Sequence, residues 1–334
     1  MIITRTPFRI SFFGGGTDYP AWYREHGGAV LSTSINKYCY ITCRYLPPFF
    51  EHRHRIVYSK IETVQDIAEI QHPAVRAVLG WDPPLNGIEI HHDGDLPARS
   101  GLGSSSAFTV GLIHALRALK GNYISKDELA TAAIHIEQDI LKENVGLQDQ
   151  VAVACGGLNR IEFYRDNQFQ IDPVIAPNER IVELQDHLLL LFTRVQRIAS
   201  DVAKSQIDNI KNRQSELKHM YKMVDRGITI LQKPTTPITD FGELLDEAWK
   251  YKRSLSDSIS TPKIDGIYAL AKSNGAIGGK ILGAGGGGFI LFFAPPSRHG
   301  DILAALSDLV HVPFRFDHSG SRIVMHQTNR IQEV

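Results

Sequence analysis

Cysteine is scarce in this chain of 334 residues, which has three: Cys39, Cys43 and Cys155. That excludes a disulfide framework, and Cys39-x-x-x-Cys43 lacks the second pair that a zinc site needs. Both read as core thiols on one face of a strand, packing as small hydrophobes. An excess of charge is also missing, with Lys+Arg and Asp+Glu at 36 each. This balance argues against a general nucleic-acid or anionic-membrane binder. No apolar run approaches the roughly 18 residues of a membrane span. No basic-then-apolar export segment opens the sequence, so the expected location is cytoplasmic.

Two nucleotide-binding fingerprints are missing as well. No Lys follows Gly103 as a Walker loop requires, and the third glycine of a dinucleotide fingerprint is replaced by Ser106. What remains is an ordinary globular composition, 43% hydrophobic and 22% charged, on a length that suggests about two domains. The boundary is expected near 190–197, where strand-rich sequence gives way to long helices. This divides the chain into 1–192 and 193–334.

The stretch that organises the chain is 97–107, Pro-Ala-Arg-Ser-Gly-Leu-Gly-Ser-Ser-Ser-Ala. A helical apolar pattern follows it at Phe108, Leu112, Ala115 and Leu119. Gly101 and Gly103 allow positive φ and close approach by a ligand. Ser104, Ser105 and Ser106 place amides and hydroxyls at the positive end of the helix dipole, where anions bind. The same residues also read as a Gly/Ser turn that simply caps a helix.

Around this stretch, residues 2–12 read as a strand broken by Pro7 and residues 28–45 as two strands. A short helix spans 73–80, and the strand 87–91 delivers the chain to the loop. Ser125-x-x-Glu128 is a capping box opening a helix with an apolar face at Leu129, Ala133, Ile136 and Ile140. Residues 158–191 are strand-rich. Residues 196–232 are polar and helical, with an apolar stripe that starts at Ile198. Another helix follows Thr239, carrying Leu244, Leu245, Ala248 and Trp249. The end, 297–334, reads as a helix and two short strands.

Several chemistry-bearing groups have two readings each. Gly14, Gly15 and Gly16 precede Thr17 and Asp18, which either hydrogen-bond sugar hydroxyls or form an Asx turn. Glu137 lies at the edge of its helix's apolar face, where the plainer reading is an exposed helical Glu. If it meets Ser104 across the fold, it can hold Mg²⁺. Asp149, after Gly146 and before an apolar run, suits a proton acceptor or an N-cap. Gly283, Gly285, Gly286, Gly287 and Gly288 precede a buried strand, as a hinge or as backbone that comes close to something. Residues 51–55, Glu-His-Arg-His-Arg, read as a solvated loop.

Taken together, three of these segments resemble the GHMP kinase superfamily in order and spacing: Pro7 to Asp18, Pro97 to Ala107, and Lys280 to Phe289. The central segment matches that superfamily's Pro-x-x-x-Gly-Leu-Gly-Ser-Ser-x-Ala throughout. The first, Phe-Gly-Gly-Gly-Thr-Asp-Tyr, resembles the form in heptose 7-phosphate kinases and fucokinase-type kinase domains. Gly15-Gly16 depart from the galactokinase form.

The resemblance implies an α/β (α+β) fold with an N-terminal ribosomal protein S5 domain 2-like half and a C-terminal ferredoxin-like half. It implies ATP as phosphoryl donor, held by Pro97, Arg99, Ser100, Gly101, Leu102, Gly103, Ser104, Ser105 and Ser106. Mg²⁺ falls to Ser104 and Glu137, the base to Asp149 and the motif-one cation to Arg9. Gly14, Gly15, Gly16, Thr17 and Asp18 line a sugar site. Gly283, Ala284, Gly285, Gly286, Gly287 and Lys280 close over it.

The implied partner is a small sugar or sugar phosphate phosphorylated at the anomeric hydroxyl, with a heptose 7-phosphate foremost and a fucose-type sugar second. A non-catalytic sugar sensor is a third reading. A sugar phosphate needs a second anion pocket, for which Lys280, Arg197 and the 51–55 cluster are candidates. No nucleic-acid or membrane partner is implied, and a homodimer is the expected assembly.

Overall fold

A computed structural model of the chain describes residues 1–98, 100–195 and 199–327; Arg99, Arg197 and Ile198 lie outside the described residues. The first half runs β1 (Ile2–Phe13), α1 (Pro20–His26), β2 (Gly28–Tyr45), β3 (His54–Val57), β4 (Ile61–Val64), α2 (Pro73–Trp81) and β5 (Ile88–Gly94). It continues with α3 (Ser104–Leu119), α4 (Lys126–Ile134), a π-helical turn (His135–Ile140), α5 (Gln148–Cys155), β6 (Leu158–Phe163) and β7 (Phe169–Pro173). The second half runs α6 (Asn178–Asp186), β8 (Leu188–Phe192), α7 (Ala199–Asn209), α8 (Gln214–Gln232), α9 (Thr239–Ser254) and α10 (Pro262–Ser273). It ends with β9 (Gly278–Ile281), β10 (Phe289–Phe293), α11 (His299–Ala305), β11 (Val310–His311), β12 (Phe316–Asp317) and β13 (Arg322–His326).

Two sheets divide these strands. The larger follows the path β13-β1-β2-β5-β3-β4, with β12 and β6 also on β2 and β7 on β6. Its spine is β2, one unbroken strand of 18 residues where the sequence suggested two. Its length explains why. Cys39–Tyr45 pair with β5 and Gly28–Thr33 with β6, leaving Ser34 and Ile35 to β12. Pro7 does not end β1; the strand passes it with a register shift between Pro7 and Phe8. Cys39 and Cys43 are buried, as expected of core thiols.

The smaller sheet has the order β11-β8-β10-β9, antiparallel throughout. Counted along the chain as β8, β9, β10 and β11, this is the 4-1-3-2 order of a ferredoxin-like sheet. Sheet membership cuts across the division at 192 and 193. β8 already belongs to the smaller sheet, while β12 and β13 return to the larger one. The tail therefore carries three short strands after α11 rather than two.

The helical stretch near 196–232 is interrupted by a turn at Ile210–Asn212, so it forms two helices rather than one. Helix α6 lies in a region that read as strand-rich; Pro177, fixed near helical φ, starts it. The capping box at Ser125 and Glu128 is formed on both sides. Phe241 of α9 stacks edge-on against Phe12 and Phe13 of β1, with centroids 5.4 and 5.0 Å away. That contact fixes the ends of β1 and α9 relative to each other, and the site lies beside them.

Candidate active site

The centre of the site is an ion pair between β1 and α5. Arg9 is 2% exposed, because its place opposite Ser34 on β2 points it under the 100–103 loop. Its Nε and second terminal nitrogen donate to Asp149 Oδ1 and Oδ2, both at 2.8 Å. Its third guanidinium nitrogen donates to the Gly101 carbonyl at 2.7 Å, and its backbone N–H to the Leu102 carbonyl at 2.9 Å. A planar fork bound this way fixes the carboxylate in orientation as well as position. Asp149 is the second residue of α5, with Leu147 at the N-cap, and its side chain stays 28% exposed. Gln148 donates to Asp149 Oδ1 at 3.2 Å and accepts from Ser11 at 2.6 Å.

The 14–18 turn runs beside this pair. Gly14 has φ +81°, and a side chain there would place Cβ 1.9 Å from the Ala29 carbonyl. Thr17 is fully buried, its hydroxyl bonded to the backbones of Gly14 and Ala29. It holds the turn rather than offering a free hydroxyl. Asp18 is buried and accepts from the Gly16 N–H at 2.9 Å. Burial, and then the Asp149 charge, push its carboxyl above the usual range, against the pull of nearby amides and Arg9.

The glycines of 283–288 meet other backbone. Gly283 lies against Gly101: a Cβ at Gly283 would sit 2.5 Å from Gly101 Cα, and one at Gly101 2.5 Å from the Leu282 carbonyl. The Phe289 N–H donates to the Ser100 carbonyl at 3.2 Å and the Gly286 N–H to the Ile259 carbonyl at 2.8 Å. The two glycine-rich segments, 182 residues apart at Gly101 and Gly283, therefore form one double loop over Arg9. Ser100 Oγ is buried in it with no hydrogen-bond partner among the described residues. Pro97 precedes this loop, and Ser105 is exposed beside Ser104 at the start of α3.

Glu137 is not an exposed helical residue. The π-helical turn widens the helix after α4 and brings it to 1% exposure. Its Oε2 accepts from Ser106 Oγ at 2.9 Å and from Gln150, while Oε1 is buried without a hydrogen-bond partner among the described residues. Burial pushes the carboxyl up to about 7, opposed by the nearby Thr109 hydroxyl and by the hydrogen bonds from Ser106 and Gln150. Its serine partner is Ser106, two residues past Ser104.

Lysines complete the electrostatics. Lys280 is buried on β9 and donates to the Phe12 carbonyl at 2.9 Å. Lys252, which sequence reasoning did not single out, is 6% exposed and donates to the carbonyls of Ile281 (3.0 Å) and Gly283. Burial, then Arg9, push it down to about 7, while Asp18 and Asp149 pull the other way. The signal was available: Lys252 continues the Leu245, Ala248, Trp249 stripe of α9, a cation on a core face.

The 51–55 cluster is not assembled with these groups. Arg55 pairs in register with Glu89, which lies opposite Arg44 on β2, ten residues from the Ser34 that faces Arg9. At about 3.3 Å per residue that is roughly 30 Å. His54 is buried, and Arg55 is engaged by Glu89 at 3.4 Å.

Against known proteins, residues 63–157 match the GHMP kinases N terminal domain and residues 235–311 the GHMP kinases C terminal domain. The chain is 30% identical over 317 residues to the D-glycero-alpha-D-manno-heptose 7-phosphate kinase of Campylobacter jejuni, covering 91% of this chain and 93% of that one. It is 23% identical over 315 residues to the bifunctional fucokinase/GDP-fucose pyrophosphorylase of Arabidopsis thaliana, covering 86% of this chain and 29% of that one. A crystal structure of a D-glycero-D-manno-heptose 1-phosphate kinase from Bacteroides thetaiotaomicron shares the fold, with a TM-score of 0.80 and 22% identity over 98% of this chain and 100% of that one. Among the described residues no helix is long and apolar enough to cross a membrane. With both domain matches and a relative that spans nearly the whole chain, the protein belongs to the GHMP kinases, phosphotransferases that use an alcohol group as acceptor.

Proposed function

We propose that the protein is a sugar kinase that transfers the γ-phosphoryl group of ATP to the anomeric hydroxyl of D-glycero-D-manno-heptose 7-phosphate, giving the 1,7-bisphosphate. One observation carries the chemistry: a partly exposed carboxylate, Asp149, held in two-point contact by Arg9 directly beneath the double glycine loop. The relative's name carries the substrate. Asp149 takes the proton of the sugar hydroxyl as that oxygen bonds to the γ-phosphorus. The bond from phosphorus to the bridging oxygen breaks and ADP leaves. Arg9 balances the charge that develops on the transferring group, so catalysis is positioning and electrostatics. The amides of 101–106 and the start of α3 receive the triphosphate, and the turn around Asp18 receives the sugar.

Mg²⁺ fits the residues present. Glu137 has a buried oxygen, Oε1, without a hydrogen-bond partner among the described residues, and its raised carboxyl is the form that an adjacent cation would ionise. Glu137 and Ser104 would hold the ion, whose charge would offset that of the phosphates.

A fucose-type sugar 1-kinase is the second reading. Two of the proposed cations for a second phosphate are already engaged or distant: Lys280 by Phe12, the 51–55 cluster by roughly 30 Å of strand. Phosphorus NMR of reactions with ATP, Mg²⁺ and either heptose 7-phosphate or L-fucose separates the two. A new anomeric phosphate ester formed on the heptose 7-phosphate alone supports the first reading. An ester at another carbon, or turnover of fucose alone, rejects it.

A further inference from the structure

The site contains three buried cations, Arg9, Lys252 and Lys280, one buried carboxylate, Asp18, and one partly exposed carboxylate, Asp149. Arg9 is committed to Asp149, and Lys280 ties β9 to β1 through the Phe12 carbonyl. Lys252 comes from a different element, α9, and reaches the end of β9 where the glycine loop begins. Burying an ammonium is expensive unless it is well compensated, so its presence on a core face calls for a reason.

We propose that Lys252 is a positioning residue of the phosphoryl-transfer site, clamping the 281–283 backbone so that the double glycine loop holds Arg9 and Asp149 in register. This rests on the kinase reading above.

The chain of contacts is continuous. Lys252 Nζ donates to the carbonyls of Ile281 and Gly283. Gly283 packs on Gly101 closely enough that neither residue has room for a side chain. The Gly101 carbonyl accepts from the Arg9 guanidinium, whose other two nitrogens hold Asp149. Gln206 adds a second tether from α7 to the Ala284 carbonyl, one residue further along. Without Lys252, one buried and one part-buried carbonyl lose this donor and Gly283 loses its hold, so the loop is free to slide off Gly101. An aliphatic side chain of similar length restores the packing but not the donor. Lys252→Met therefore separates the clamp from mere filling of space.

The test uses the full-length protein and two readouts. In a coupled ADP assay, Lys252→Met is expected to lower kcat at least 30-fold with the sugar KM within threefold. Lys252→Gln, which keeps an N–H donor, should recover a tenfold part of that loss. In amide hydrogen exchange of the nucleotide-free protein, Lys252→Met should speed exchange at least tenfold both at 282–289 and at 100–103. The exchange arm does not depend on the substrate: a wild type that turns over no sugar rejects the kinase reading, while the loop coupling is still decided. Faster exchange confined to 281–284, or a folded Lys252→Met with kcat within threefold of wild type, overturns the clamp. If Lys252→Met fails to fold, Lys252→Leu, which likewise lacks a donor, decides: wild-type kcat and wild-type exchange at 100–103 contradict the proposal.

Discussion

Removing the charge of Glu137 tests the interior of the site without any ligand. The carboxyl is 1% exposed and is pushed from its usual 4.5 up to about 7 by burial. In the metal-free protein the folded state therefore binds a proton between these values that the unfolded chain has already released. Stability must fall as pH rises through that window and level off above about 7. The size follows from the shift: about 2.5 pKa units at 1.36 kcal/mol each is roughly 3 kcal/mol. Glu137→Gln places a neutral amide among the same partners, Ser106 and Gln150, and removes this slope. Thermal unfolding between pH 5 and 8.5, in EDTA, should show the wild type losing several degrees of Tm relative to the variant. Adding Mg²⁺ and ATP should reduce the wild-type loss, because a cation next to Oε1 stabilises the ionised form. Parallel Tm curves for the two proteins would refute the buried, titrating carboxyl.

Three further substitutions probe the rest of the site. Gly101→Ala puts a Cβ 2.5 Å from the Leu282 carbonyl at a φ of +83°, so the double loop must shift; kcat/KM for ATP should fall about 100-fold in steady-state kinetics. Arg9→Lys keeps the charge but cannot make the two-point contact with Asp149 while holding Gly101. A kcat drop of about 10²-fold is expected, with far less change in Tm. Gly14→Ala combines a positive φ with a 1.9 Å approach to the Ala29 carbonyl. It should destabilise the fold by about 3 kcal/mol in urea unfolding, from left-handed strain plus overpacking.

The sequence displays features that are local and leaves hidden those that are set by partners far along the chain. The loop at 101–106, the capping box at Ser125 and the core thiols Cys39 and Cys43 are written in neighbouring residues, and the fold realises them. The unbroken 18-residue β2 is not, because its continuity depends on β5, β12 and β6 sharing one edge. The return of β12 and β13 to the first sheet is equally non-local, since a buried strand of two residues and a short, mostly exposed one carry almost no periodic signal. The plainer reading of Glu137 failed because an α-helical phase was assumed where the helix is π. The hinge reading of the 283–288 glycines gave way to contacts with Gly101, Ser100, Val195 and Ile259, three of them far away in sequence. Lys252 was visible only to a reader asking why a cation lies on an apolar stripe. Arg99 and Arg197 lie outside the described residues.

The decisive measurement is turnover by Asp149→Asn, with ATP binding followed in parallel by calorimetry. A neutral amide keeps the shape beside Arg9 but cannot take the hydroxyl proton, so kcat should drop about 10³-fold while ATP affinity stays within threefold. An Asp149→Asn protein that phosphorylates its sugar within tenfold of the wild-type rate would show that no base acts at this position.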